Sequence, residues 1–196
     1  MIAFLKGKLV QKEPTFVVID VNGVGYHVNI SLNTYSEIKD KENIQLTTHL
    51  QVREDAHILF GFSNSSEKMM FQNLINVNGI GPSTAMIILS YLPPAELHHA
   101  IITENIAALQ AVKGIGGKTA QRIVLELKDK LRKEPASGPT GISGIKHNTM
   151  RNEALSALMT LGIGRAAAEK SIDTVLNKSG NTISLEELVK MALKNA

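Results

Sequence analysis

Leu74-Ile75-Asn76-Val77-Asn78-Gly79-Ile80-Gly81-Pro82-Ser83-Thr84-Ala85-Met86-Ile87-Ile88-Leu89 is followed, 35 positions later, by Leu109-Gln110-Ala111-Val112-Lys113-Gly114-Ile115-Gly116-Gly117-Lys118-Thr119-Ala120-Gln121-Arg122-Ile123-Val124. The two stretches say the same thing twice. Leu74 and Val77 match Leu109 and Val112, and Gly79-Ile80-Gly81 matches Gly114-Ile115-Gly116. Beyond the glycines, Ala85, Ile88, Leu89 and Leu92 fall at the offsets of Ala120, Ile123, Val124 and Leu127. That is an i, i+3, i+4, i+7 stripe, so each copy reads as a helix end, a Gly-x-Gly turn and a second helix.

Glycine tolerates positive φ and lets the main chain come close to a ligand. Two glycines around one apolar residue give a tight corner whose middle side chain, Ile80 or Ile115, plugs the gap between the helices. The helix that follows starts with unpaired N–H groups and a partial positive charge, which favours an anion such as a phosphate. The unit resembles the helix-hairpin-helix, which grips nucleic-acid backbones. Such contact reads no base edge and is independent of base sequence. The candidate DNA-binding residues are Gly79, Ile80, Gly81, Ser83 and Thr84 in the first copy. In the second they are Gly114, Ile115, Gly116, Gly117, Lys118, Thr119 and Arg122. Lys118 and Arg122 are four apart on one helix face and are expected to add two phosphate contacts. The first copy has Ser83 in place of Lys118, so it relies on amides and on the hydroxyls of Ser83 and Thr84. The bland alternative is a helix–helix turn in which glycine serves only as a C-cap; a pair in register, followed by basic residues, favours the grip. A Walker phosphate loop is excluded, because neither cluster has the G-x-x-x-x-G-K-[ST] spacing.

Charge agrees in its distribution more than in its total. The net charge is +3. Residues 1–63 carry six Lys/Arg against seven Asp/Glu, whereas residues 113–133 carry seven against two. The positive charge therefore gathers on the second corner and the helix leaving it, although a solvated helix face would also account for part of it. The 196 residues, 43% of them hydrophobic, suffice for one to three small domains with real cores. No run of about 18 apolar residues indicates a membrane span, and the first residues lack a secretory pattern. With no cysteine, disulfides and thiolate metal sites are excluded, and a cytoplasmic location is expected.

Outward from the repeat, residues 1–63 read as strands. Phe16–Val21 is β-branched and apolar, Asn22-Gly23 is a hairpin turn signal, and Val24–Ile30, Ile44–Val52 and His57–Phe62 continue the pattern. Five short strands in about 60 residues predict a small barrel of the oligonucleotide-binding (OB) type. Aromatics make up 4% of the chain and no stacking platform is visible, so the barrel is expected to act as scaffold or assembly surface. Residues 64–134 form an all-α segment holding both corners, with Pro93-Pro94 breaking it and Pro94 opening a helix over Ala95–Ala100. Residues 135–146, rich in Pro, Gly, Ser and Thr, read as a flexible linker. Residues 147–196 read as three short helices. Ala154, Leu155, Leu158 and Leu161 stripe the first, and Ala167, Ser171, Ile172, Val175 and Leu176 the second. The third opens on the capping box Ser184-Leu185-Glu186-Glu187, with Leu185, Leu188, Val189 and Ala192 on one side. A domain of about 50 residues buries little surface and is expected to dock another protein.

Taken whole, the chain resembles the RuvA family, the Holliday-junction-binding subunits of the bacterial branch-migration complex. The resemblance rests on Met1-Ile2, Val21-Asn22-Gly23-Val24-Gly25-Tyr26, Thr48 through His57, Phe60-Gly61-Phe62, Gly79-Ile80-Gly81-Pro82, Gly114-Ile115-Gly116 and Ala157-Leu158-Met159-Thr160-Leu161-Gly162. It implies an OB-fold barrel, a tandem helix-hairpin-helix domain and a three-helix, UBA-like tail. It also implies a homotetramer, or a face-to-face octamer, that holds a four-way junction open in DNA recombination, repair and the SOS response. The implied partners are the hexameric RuvB ATPase, docked by the tail, and the RuvC resolvase; no cofactor and no metal are implied. An acidic pin maps onto Glu54 and Asp55, which would otherwise read as a polar hairpin tip. For the motor-docking surface, the candidates are the edge at Leu161, Gly162 and Ile163 and the third helix with Leu185 and Leu188, a choice the resemblance itself does not fix. Ser83 and Gly117 depart from the family by standing where its corners often carry lysine, and the linker lacks acidic character.

Two rival functions follow from the residues. Helix-hairpin-helix units also serve nucleases and glycosylases, but a nuclease wants clustered carboxylates for a divalent metal, and here the acids are scattered. The six histidines show no ligand spacing, and no nucleophile–base pair is apparent, so no catalysis is expected. The other rival is a general duplex-binding module that would not distinguish a junction from linear DNA.

Overall fold

The computed structural model describes residues 1–133, 146–179 and 183–195. The predicted linker falls almost wholly on residues 134–145, outside the described residues; only Lys146, already helical, lies within them. The chain divides into a unit of residues 1–137 and a unit of residues 138–196.

The first unit begins with β1 (Phe4–Glu13), β2 (Phe16–Val21), β3 (Val24–Ile30), β4 (Asn43–Val52) and β5 (His57–Phe62). They close a barrel in the order β1-β2-β3-β5-β4, with β3 and β5 parallel and the other pairs antiparallel. The β2–β3 turn has Asn22 at φ 53° and Gly23 at φ 88°, the backbone that an Asn-Gly hairpin demands. Asp20 fixes it by accepting the Gly23 N–H at 2.7 Å. Leu5, Leu9, Val17, Ile19, Val28, Ile30, Ile44, Leu46 and Leu59 fill the barrel, joined by Ile38 from helix α1 (Leu32–Ile38). α1 is a helix the strand pattern does not announce; Ser31 caps it by accepting the Thr34 N–H.

Helices α2 (Ser65–Ile75), α3 (Pro82–Tyr91), α4 (Pro94–Ile102), α5 (Ile106–Gln110) and α6 (Gly117–Lys133) follow. Their stripes share one core, which Phe60 and Phe62 of β5 enter beside Phe71 of α2. The Phe71 ring lies 5.1 Å from Phe60, 5.0 Å from Phe62 and 5.4 Å from His49 of β4. These three phenylalanines are thus committed to packing where the barrel meets the helices, whereas Phe4 is 55% exposed and half-buried Phe16 stacks on exposed His27 at the barrel surface. Polar groups pin the same joint. The buried carboxylate of Glu67 on α2 accepts from the Ser31 hydroxyl and, at 2.6 Å, from the Thr34 hydroxyl. Thr34 Oγ1 in turn accepts the Ser63 N–H at 3.1 Å. Burial pushes the Glu67 carboxyl up from its ordinary value, more than the Ser31 and Thr34 hydroxyls pull it down.

The second unit holds α7 (Lys146–Thr160), α8 (Arg165–Ser179) and α9 (Leu185–Asn195) around Ala154, Leu155, Leu158, Ala168, Ile172, Val175, Ile183, Leu188 and Ala192. The predicted capping box is made: Ser184 Oγ accepts the Glu187 N–H at 3.3 Å while Glu187 Oε2 accepts from Ser184. Arg151 grips Asp173 through two 2.9 Å bonds, tying α7 to α8. In α8, Ser171, Ile172 and Val175 are buried as the stripe predicts, but Ala168 rather than Ala167 continues it into the core. The barrel, the tandem corners and the three-helix tail together are the fold class the sequence predicts.

Candidate nucleic-acid interface

The two corners are built alike, bond for bond. Ile80 N–H reaches Val77 O at 3.0 Å and Ala85 N–H reaches Gly81 O at 3.0 Å. Their counterparts are Ile115 to Val112 at 3.0 Å and Ala120 to Gly116 at 2.9 Å. Gly79 has φ 88° and Gly114 φ 90°, a conformation in which any other residue is strained. Burial matches at every position. Ile80 and Ile115 are 4% and 6% exposed and plug the corners from within, so they shape the site rather than touch a ligand. Gly79, Gly81 and Ser83 are exposed, as are Gly114, Gly116 and Lys118, while Thr84, Gly117 and Thr119 are half-buried.

The donors on offer are main-chain amides. α3 begins at Pro82 with Gly81 as its N-cap, and no side chain caps it. The first-turn N–H groups of Ser83 and Thr84 have no intrahelical acceptor to reach, so they are open to an anion. Proline costs nothing there, since its missing N–H would have been unpaired. On α6, Gly117 takes the place of Pro82; a Cβ on it would come within 2.8 Å of the Gln110 amide, so a larger residue must displace that flexible side chain.

The two predicted basic residues are not equivalent. Lys118 is exposed and makes no ion pair among the described residues. Arg122 is engaged: one guanidinium nitrogen donates to Asn78 O at 3.0 Å, and Nε stands 4.0 Å from Glu126 Oε1. No spacing rule could have found this link between residues 44 apart. Lys128, part of the basic run, pairs with Glu104.

Glu54 and Asp55 sit at the exposed tip between β4 and β5, closed by the Arg53 N–H to Ala56 O bond at 2.8 Å. They belong to the same unit as the corners. In the tail, Leu161 is 61% exposed and Gly162, at φ 90°, turns the chain beside it. Ile163 and Leu185 are half-buried against the tail core. Leu188 contradicts expectation. It is fully buried, so it fills the core of the tail and cannot meet a partner while the tail is folded. Other exposed large apolar side chains among the described tail residues are Met159, Met191 and Leu193.

Three family models match the chain: "RuvA N terminal domain" over residues 1–61, "SAM-like Helix-hairpin-helix tandem" over 71–129 and "RuvA, C-terminal domain" over 149–196. Among curated relatives, the "Holliday junction branch migration complex subunit RuvA" of Cytophaga hutchinsonii is 49% identical over 99% of both chains. The proteins of the same name from Christiangramia forsetii and Flavobacterium psychrophilum are 48% and 46% identical, with at least 99% of each chain covered. With its barrel, both glycine corners and its three-helix tail accounted for along the full length of these relatives, the chain belongs to the RuvA family.

Proposed function

We propose that this protein binds four-way DNA junctions without reading base sequence and recruits a RuvB-type ATPase to drive branch migration. The observation that carries the reading is the pair of matching corners, each with an exposed glycine at φ near 90° and a helix start behind it. Amides of Gly81, Ser83 and Thr84, and of Gly116, Gly117, Lys118 and Thr119, take phosphate oxygens, and Lys118 adds a cation at the second corner. In a homotetramer eight corners face four duplex arms. Selectivity for a junction then comes from engaging several arms at once. Doubling of such tetramers into an octamer is compatible with this reading.

Glu54 and Asp55 form the pin. Carboxylates repel phosphates, so they keep strands apart at the crossover instead of adding affinity. The tail, through Leu161, Gly162, Ile163 and Leu185, docks the motor, and ATP hydrolysis resides in that partner, not in this chain. A resolvase of the RuvC type shares the junction, in the cytoplasm.

The test is a competition gel shift between a synthetic four-way junction and linear duplex of the same arm sequence. The junction should compete far better. Equal affinities would reduce the protein to a general duplex-binding module.

A further inference from the structure

We infer that Arg122 is a positioning residue: it straps the first corner to the second, so that both meet one DNA backbone at a fixed separation. The inference rests on the phosphate-gripping role of the corners proposed above. Arg122 stands on α6, one turn beyond the second corner, yet its guanidinium donates to the carbonyl of Asn78, the residue just before the first corner's Gly79. The same nitrogen lies 3.6 Å from where a Cβ on Gly79 would stand, ordinary contact distance, so the guanidinium lies directly against the corner. Glu126 Oε1 lies 4.0 Å from Nε of the same guanidinium, an exposed i, i+4 pair that adds little to the strap.

Two physical effects follow. A backbone carbonyl beside a phosphate site would present its negative end to the incoming anion, and the guanidinium covers it. Two grips held by one rigid body also bind with a high effective concentration, which slack between them reduces. The strap runs one way only. The counterpart of Arg122 in the first repeat is Ile87, which is 49% exposed and has no donor to offer Lys113.

The experiment is a double-mutant cycle on junction affinity in the full chain. Ser83→Asp places a negative charge at the first corner, and it is measured with Arg122 intact and in Arg122→Ala. With the strap cut, the first corner already contributes less. The Ser83→Asp penalty should therefore shrink at least about threefold, and Arg122→Ala alone should weaken binding about tenfold. The salt slope of Arg122→Ala should stay at the wild-type value, because every phosphate keeps its cation. An undiminished Ser83→Asp penalty overturns the strap, as does a slope lower by about 0.9, the signature of a direct phosphate ligand. Lys118→Ala is the control: if neither it nor Ser83→Asp alone changes affinity, the corner reading itself falls, and the strap with it.

Discussion

Removing the Glu67 carboxylate tests the joint between barrel and helices. In Glu67→Ala, the hydroxyls of Ser31 and Thr34 lose their shared acceptor in a site where both residues are fully buried. A hydrogen bond to a charged group is worth about 1.5–3 kcal/mol, so two of them give about 3–6 kcal/mol gross. Relief from burying a carboxylate offsets part of this, leaving roughly 2–4 kcal/mol. At about 2–4 °C per kcal/mol for a chain of this size, the melting temperature should fall by on the order of 5–15 °C. Glu67→Gln keeps one acceptor and should cost only about 1 kcal/mol. The pH dependence reads the balance between burial, which raises the Glu67 carboxyl, and the hydroxyl bonds, which lower it. Because the folded carboxyl is pushed up, mainly by burial, its contribution is full below the ordinary carboxylate range and is lost as pH rises through the raised value. Glutamine cannot titrate, so the wild-type advantage over Glu67→Gln should shrink as pH goes from about 4 to 7. Denaturant melts at a series of pH values read it out. An advantage that instead grows with pH, or an alanine variant within about 0.5 kcal/mol of wild type, would refute the reasoning.

Three further outcomes are expected. Lys118→Ala should weaken junction binding and lower the slope of log affinity against log salt by about 0.9 for each phosphate it ceases to neutralise, read by titrations between about 50 and 200 mM salt; an unchanged slope counts against its grip on phosphate. Glu54→Gln with Asp55→Asn should preserve or strengthen junction binding while altering strand opening, followed with fluorescent bases at the crossover, and a plain loss of binding speaks against the repulsive pin. Leu161→Asp should abolish stimulation of the motor ATPase without lowering the melting temperature, whereas Leu188→Ala should cost about 2–5 kcal/mol by leaving a cavity in the tail core; a Leu161→Asp protein that still stimulates the ATPase moves the docking surface elsewhere.

The corners were legible because each requirement has its own residue: glycine for positive φ at positions 79 and 114, an apolar plug at 80 and 115, a stripe behind. The barrel was legible in the β-branched runs and in Asn22-Gly23, where one dipeptide sets the turn. The third tail helix declared itself through Ser184 and Glu187. What stayed hidden depends on partners distant in sequence. Helix α1 is seven residues long and is held by Ser31 and by the joint, with no stripe of its own to show. Glu67 reads as a solvated acid until Ser31 and Thr34 come to meet it. Arg122 looks like the twin of Lys118 on one helix face, and only the fold brings Asn78 to it. The tail shows the limit of periodicity. Leu161 and Leu188 both sit on apolar stripes, but Leu161 overruns the end of α7 into solvent while Leu188 lies mid-core. A stripe tells which residues share a face, not where that face stops being covered.

The parallel pairing of β3 with β5 closes the barrel, so its ring of strands has no beginning and no end. An open sheet offers unsatisfied backbone groups along its rim, an invitation to foreign chains and to aggregation. This ring extends no such invitation. In the tetramer proposed above, protomers crowding around a common centre would have to recognise one another by side chains, with little danger of trading strands or growing into fibrils.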